Sequence, residues 1–191
     1  MRLEILNSGY SFGNKLLFAF IRIVSGRPVP DAAKLVMYRP DFYGAIKFTQ
    51  ETMRGPSTWS VGDRELMAAF VSKMNECVFC IGAHSAVAAR AYQDKDRVAA
   101  VLSDLETAPI EESLRATLRM LGKLTREHAV DVNDMRAVLA AGVSREQIED
   151  ALEVCFAFNV TDRLADAFEF FVLDPQGMEA GAKYLLSRGY R

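Results

Sequence analysis

The constraint that most limits the fold of this chain is its punctuation. Gly26-Arg27-Pro28-Val29-Pro30, Arg39-Pro40-Asp41, Gly55-Pro56, Gly142 and Asp174-Pro175 cut it into segments of helical length. Proline lacks the N–H that a helix interior needs, and glycine gives up more backbone entropy than any other residue. Between the breaks, apolar residues recur at helical spacing with little strand-like alternation, which predicts an all-α fold. Helices are expected over 12–24, over a short stretch with Asp31 in its first turn, and over 41–54. Ser60 with Asp63 three positions on reads as the cap of a helix through Lys73. After Asn75-Glu76 a helix carries Cys80 and His84 to about Tyr92, and others follow over 94–102, 110–127 and 131–140, the last with Gly142 as its C-cap. Ser144 and Gln147 form a capping box for a long helix reaching Phe171 or beyond. Asp174-Pro175 ends it, and a terminal helix spans 177–187.

With 191 residues, half of them hydrophobic and a quarter charged, the chain is long enough for one sizeable core, so a single domain over 1–191 is expected. Residues 1–26 are set apart by the Gly26–Pro30 break as an N-terminal appendage. A net charge of −2 leaves no electrostatic footprint for nucleic acid or an anionic membrane. Three cysteines make no paired disulfide framework and fit a reducing, cytoplasmic setting, and Met1-Arg2-Leu3-Glu4 does not read as a signal peptide. The apolar run Leu16–Ile21, between Lys15 and Arg22, is too short to span a bilayer and reads as a buried or partner-facing helix. Together with the apolar stretch 151–172 it predicts a homo-oligomer.

The chemistry concentrates at Cys77, Cys80 and His84, whose spacing of three and then four places them on one helical face. Two such thiols can close a disulfide with little backbone movement, and a thiolate in the first turn of a helix is stabilised by unpaired N–H groups. His84 is placed to take the thiol proton. If the helices on either side of Asn75 pair antiparallel, Glu65 comes to lie beside His84 and can orient its ring. A zinc site with His84 as third ligand is the competing reading of the dithiol, but the only remaining candidates, Cys155 and His128, are isolated, and ligands so closely spaced within one helix strain a tetrahedral arrangement, so no metal is expected. Cys155 reads as a small buried hydrophobe, His128 as a helix C-terminal contact, Ser85 as a packing residue, and the Phe and Met residues of 154–172 as core or interface rather than a cofactor box. Arg115, Arg119 and Lys123 form a basic stripe whose expected partners are Glu111 and Glu112.

Glu65, eleven intervening residues, Cys77, two residues, Cys80, three residues and His84 together resemble the active-site motif of the alkylhydroperoxidase D family, in the carboxymuconolactone decarboxylase-like superfamily. Gly26–Pro30, Arg39-Pro40-Asp41, Arg64–Ala68 and Ser72–Asn75 are similar to its peroxidase-related branch. Residues 144–171 match loosely, with Phe158-Asn159 through Arg163 similar to a helix packed behind the site. The resemblance implies an all-helical, oligomeric dithiol peroxidase that reduces organic hydroperoxides without a cofactor. In it Cys80 attacks the peroxide, Cys77 resolves the sulfenic acid as a disulfide, and a Glu65–His84 relay moves the proton. It also implies a dithiol reductant as partner, a lipoyl protein or a thioredoxin-like one. This chain departs from some relatives in carrying Phe79 where they have a second histidine, and Glu76 adds a negative charge before Cys77 that favours Cys80 as the low-pKa thiol. Two other readings of the same residues are a thiol–disulfide exchange or redox-sensing protein without a peroxide substrate, and a non-redox helical module with a metal-binding or vestigial dithiol.

Overall fold

The computed structural model describes residues 8–38 and 45–190. The start of the chain, the Arg39-Pro40-Asp41 break and the opening of the third helix lie outside the described residues. Among those described there are ten helices and no strand: α1 (Phe12–Ser25), α2 (Asp31–Tyr38), α3 (Ala45–Arg54), α4 (Val61–Met74), α5 (Val78–Tyr92), α6 (Lys95–Ser103), α7 (Glu112–Glu127), α8 (Val132–Ala140), α9 (Arg145–Ala167) and α10 (Pro175–Arg188). None is long and apolar enough to cross a membrane.

The bundle is organised around α4. Its first turn is closed by the expected capping box, in which Ser60 Oγ accepts from the Asp63 amide and the Asp63 carboxylate accepts from the Ser60 amide. Every residue from Arg64 to Ser72 is buried, because α3, α5, α6, α7 and α9 pack around it. A helix enclosed on all sides needs no polar face, so Leu66, Met67, Phe70 and Val71 can point in different directions into one core. Leu118 and Leu121 of α7 and Val154 and Phe158 of α9 complete that core. α7 is instead strongly two-faced: Leu114, Leu118 and Leu121 are buried while Arg115 and Arg119 pair outward. α10 lies along α5, with Met178 against Gly82, where a side chain on the glycine would meet the methionine at 3.0 Å.

Four helices close through a left-handed residue that is not glycine: α4 at Glu76, α5 at Gln93, α7 at His128 and α9 at Glu169. At the end of α4 the Cys77 amide donates to Ser72 O and the Glu76 amide to Lys73 O, with Glu76 in the left-handed region at φ 61°. This is a Schellman closure, normally built on glycine. α5 closes likewise through Gln93, at φ 56°, and α9 through Glu169, at φ 49°. At α8 the left-handed residue is the expected Gly142.

The α9 closure corrects the expected helix to Phe171 or beyond. α9 stops at Ala167, the chain reverses through Glu169, and the Phe170 amide donates to Ala165 O at 2.9 Å. The reversal turns Phe170 inward, to 7% exposure, where it packs with Ala165 and with Leu35 of α2. Burying that ring is worth roughly 2 kcal/mol, enough to stop the helix with no glycine or proline at the turn itself. Asp174-Pro175 does not end α9 but starts α10, with Asp174 as N-cap and Pro175 in the first turn.

α1 buries none of its residues, and Phe12, Phe20 and Ile23 are among the most exposed hydrophobics. The buried alternative expected for this segment is therefore overturned.

Glu76 stores strain at the turn that carries Cys77, since a non-glycine residue in the left-handed region costs roughly 1 kcal/mol. Glu76→Gly should raise the unfolding free energy by about 1 kcal/mol, read as a higher midpoint in urea at unchanged slope. A lower midpoint would show that the turn is not strained.

Candidate active site

The Asn75-Glu76 reversal brings α5 back along α4 and sets Cys77 as the N-cap of α5, with Cys80 in its first turn. Both cysteines are free, and they are 0% and 1% exposed. Their cover is apolar: Leu35, Ala165 and Phe170 are buried against them, with Ala32, Phe79, Leu164 and Phe168 packed around. The Phe79 and Phe170 rings meet edge to face, 5.3 Å apart. Phe79 thus forms part of a hydrophobic roof. Glu76 is exposed, so its charge is spent in solvent.

On the other side of His84 lies the carboxylate expected from the hairpin geometry. His84 Nδ1 is 2.8 Å from Glu65 Oε2, and the two side chains are 7% and 0% exposed. Two further donors serve the same carboxylate. Arg54 Nη2 at the end of α3 donates to Oε1 at 2.6 Å, and Tyr190 Oη donates to Oε1 at 2.9 Å. Burial alone would raise the pKa of Glu65, but the hydrogen bond and charge of His84, with those of Arg54, outweigh it and hold the carboxyl below its usual range. Burial and the neighbouring Glu65 charge push the Tyr190 phenol well up, so it remains a donor. With an ionised carboxylate on Nδ1, that nitrogen carries the proton of the neutral ring and leaves Nε2 as the basic atom. Phe158 of α9 packs edge-on against the imidazole, centroids 4.4 Å apart, and Arg54 lies over the Tyr190 ring at 5.1 Å.

The thiols have a neighbour that the sequence reading did not include. Asp162 of α9, 0% exposed, has a carboxylate oxygen within 4.8 Å of both Cys77 and Cys80 sulfurs. Ser72 Oγ donates to its Oδ1 and Asn75 Nδ2 to its Oδ2, each at 2.8 Å. Burial pushes the Asp162 carboxyl up in spite of these donors. The expectation of a thiolate lowered by the start of a helix is corrected here. Cys80 does sit in the first turn, but the adjacent Cys77 thiol, burial and the Asp162 carboxylate together push its thiol strongly up. Helix-terminal stabilisation is of the order of 1 kcal/mol, and crowding three groups that can each carry negative charge into an apolar pocket outweighs it. The dithiol therefore keeps a proton on Cys80. Asp162 and His84 are the bases at hand.

Arg54 and Tyr190 were likewise absent from the sequence reading. Arg54 looks like an ordinary last-turn cation, and Tyr190, near the chain end, carries no local signal. Asp162 had a faint one, as a carboxylate one helical turn after Phe158 on the otherwise apolar buried face of α9. The residues set aside stay outside the site. Cys155 is 2% exposed, with its sulfur 3.6 Å from Thr125 Oγ1 and its thiol pushed up by burial. His128 is the exposed left-handed C-cap of α7. Arg115 and Arg119 pair with Glu112, Arg119 also with Glu106, and Lys123 with Asp131 and Asp134.

The profile of the carboxymuconolactone decarboxylase family matches residues 40–123. No curated protein gives a significant match. Among solved structures, an uncharacterized peroxidase-related protein from Silicibacter sp. is similar over 88% of this chain and 90% of its own, at 24% identity and a TM-score of 0.74. A peroxidase-related protein from Ralstonia eutropha, described as an alkylhydroperoxidase AhpD core, covers 91% of both chains at 20% identity and 0.72. The debrominase Bmp8, as a cysteine-to-alanine variant in complex with 2,3,4-tribromopyrrole, covers 95% of this chain and 98% of its own at 14% identity and 0.74. At these identities the likeness establishes the alkylhydroperoxidase D-like helical fold.

Glu65→Gln leaves Arg54 buried without its anion and should cost about 3 kcal/mol of stability at neutral pH. Because the folded pKa of Glu65 lies below its unfolded value of about 4.3, its contribution is complete above that pH and is lost as pH falls through the folded pKa. Denaturant midpoints measured from neutral to strongly acid pH should keep their full gap between wild type and Glu65→Gln above about pH 4.3 and converge only as pH falls through the lowered folded pKa. A constant gap would contradict an ionised Glu65.

Proposed function

From its place in the carboxymuconolactone decarboxylase family, carried by residues 40–123, we propose that this protein is a dithiol peroxidase acting on organic hydroperoxides through Cys77 and Cys80. The observation that supports the reading most is the pairing of a buried, reduced dithiol with a histidine one turn on, whose Nδ1 is held 2.8 Å from a buried carboxylate. Buried carboxylates hydrogen-bonded to a histidine beside a thiol are found where protons move, which supports the reading.

The proposed steps run through these side chains. His84 Nε2 takes the Cys80 proton, and the Glu65 carboxylate stabilises the imidazolium. The thiolate sulfur attacks the terminal peroxide oxygen, the O–O bond breaks, and the alkoxide leaves with the proton from His84 as an alcohol. Cys80 is now a sulfenic acid. The Cys77 sulfur attacks that of Cys80 as its thiol proton passes to the departing hydroxide, the S–O bond breaks, the S–S bond forms, and water leaves. An external dithiol protein, lipoyl or thioredoxin-like, returns two electrons and two protons by exchange.

The roof of Leu35, Phe79, Phe168 and Phe170 favours an alkyl or aryl hydroperoxide over hydrogen peroxide, because a polar small molecule gains nothing from an apolar lining. The same fold carries a debrominase crystallised with 2,3,4-tribromopyrrole, so the reading rests on the site rather than the fold. A homo-oligomer is part of the proposal, with exposed Phe12, Phe20 and Ile23 of α1 and Phe156 and Val160 of α9 as the apolar surface it would cover. So is a reducing, cytoplasmic setting, which the recycling step requires.

Stopped-flow mixing of reduced protein with cumene hydroperoxide tests the reading. Oxidation should exceed that of free cysteine by about 10²-fold or more, the usual yield of acid–base assistance, and should exceed the rate with hydrogen peroxide. Cys80→Ser should abolish it. Cys77→Ser should permit one reaction per chain and no turnover. A rate no greater than free cysteine would remove the peroxidase reading, and a Cys77→Ser variant that fails the first step would exchange the two roles.

A further inference from the structure

The geometry points to a second use of the reduced dithiol, as a Zn²⁺ site formed by Cys77 Sγ, Cys80 Sγ and a carboxylate oxygen of Asp162. The three ligand atoms lie within 4.8 Å of one another, and the residues are 0%, 1% and 0% exposed. They come from two elements, the start of α5 and the middle of α9, so the third ligand approaches from outside the Cys-x-x-Cys helix. That removes the objection that ligands confined to one helix cannot surround an ion. Thiolate and carboxylate oxygen are both ordinary zinc ligands, and three protein ligands with one open position is a recurrent zinc arrangement.

Two features beyond proximity favour a cation here. All three groups can be anionic, and among the described residues no lysine or arginine pairs with Asp162. Its partners are the neutral Ser72 hydroxyl, Asn75 amide and Cys80 thiol, with His84 acting on it only through its charge. Those two donors fix the carboxylate between them, which is the orienting role that outer hydrogen bonds play around metal ligands. Binding displaces the two thiol protons to solvent as the Zn–S bonds form. Oxidation to the Cys77–Cys80 disulfide removes two of the three ligands, so the ion leaves with oxidation. Zn²⁺ thereby occupies the reduced state alone and blocks Cys80 while it is bound. The inference needs no peroxide and stands apart from the peroxidase reading.

Isothermal titration of ZnCl₂ into the reduced, metal-free full-length protein tests it with no hydroperoxide present. One Zn²⁺ per chain should bind with proton release and protect Cys77 and Cys80 from iodoacetamide, and the disulfide form should bind none. Asp162→Asn should weaken binding by about tenfold or more. Should that variant lose its helical circular dichroism, Asp162→Cys replaces the carboxylate with another zinc ligand and should bind at least as tightly as wild type. Absence of stoichiometric binding to the reduced protein, unchanged affinity in folded Asp162→Asn, weakened affinity in Asp162→Cys, or equal binding by the disulfide form would each overturn the site.

Discussion

The rest of the structure depends on an ionised carboxylate with no access to water. Taking such a group out of solvent costs several kcal/mol even after relaxation, and Glu65 is tolerated because Arg54, Tyr190 and His84 all donate to it. Those donors come from the end of α3, the C-terminal residues and α5, so one side chain on the central helix fastens three separate parts of the chain. Each is held independently as well. Arg54 donates to the Leu185 carbonyl, and the Tyr190 amide donates to Gln50 Oε1 at 2.6 Å. The arrangement fixes the face and tautomer of His84 before any substrate arrives, which is the preorganisation a proton-transfer site needs.

The dithiol side is built on the opposite principle. Where Glu65 is surrounded by donors, Cys77, Cys80 and Asp162 are three potential anions under an apolar roof, and the Cys80 thiol is held protonated. His84, one helical turn after Cys80, is hydrogen-bonded to the first of these two sites through Glu65. One buried site thus stabilises negative charge and the other disfavours it.

Much of this was legible in the sequence because it depended on local chemistry. Ser60 with Asp63 and Ser144 with Gln147 are capping boxes as read, and Gly26 and Gly142 take left-handed conformations near the ends of α1 and α8. The approach of Glu65 to His84 followed from a short reversal between two antiparallel helices. The reversals at Glu76, Gln93 and Glu169 were not legible as left-handed turns, because acidic and amide side chains occupy positions where glycine is the usual signal. At Glu169 what stops the helix is the burial of Phe170, a tertiary effect. Asp162, Arg54 and Tyr190 reach the site across helix packing that no sequence spacing encodes. Their absence from the sequence reading also concealed the charge crowding that reverses the expected pKa of Cys80.

The central claim is that hydroperoxide oxygen passes to Cys80 and leaves as water through a Cys77–Cys80 disulfide. The most direct measurement quantifies both products of one turnover: cumyl alcohol by chromatography and the disulfide by peptide mass mapping, after reduced protein meets one equivalent of cumene hydroperoxide. One alcohol per Cys77–Cys80 disulfide, with Cys155 still a thiol, is the predicted result. Alcohol without that disulfide, or a disulfide that includes Cys155, would contradict it.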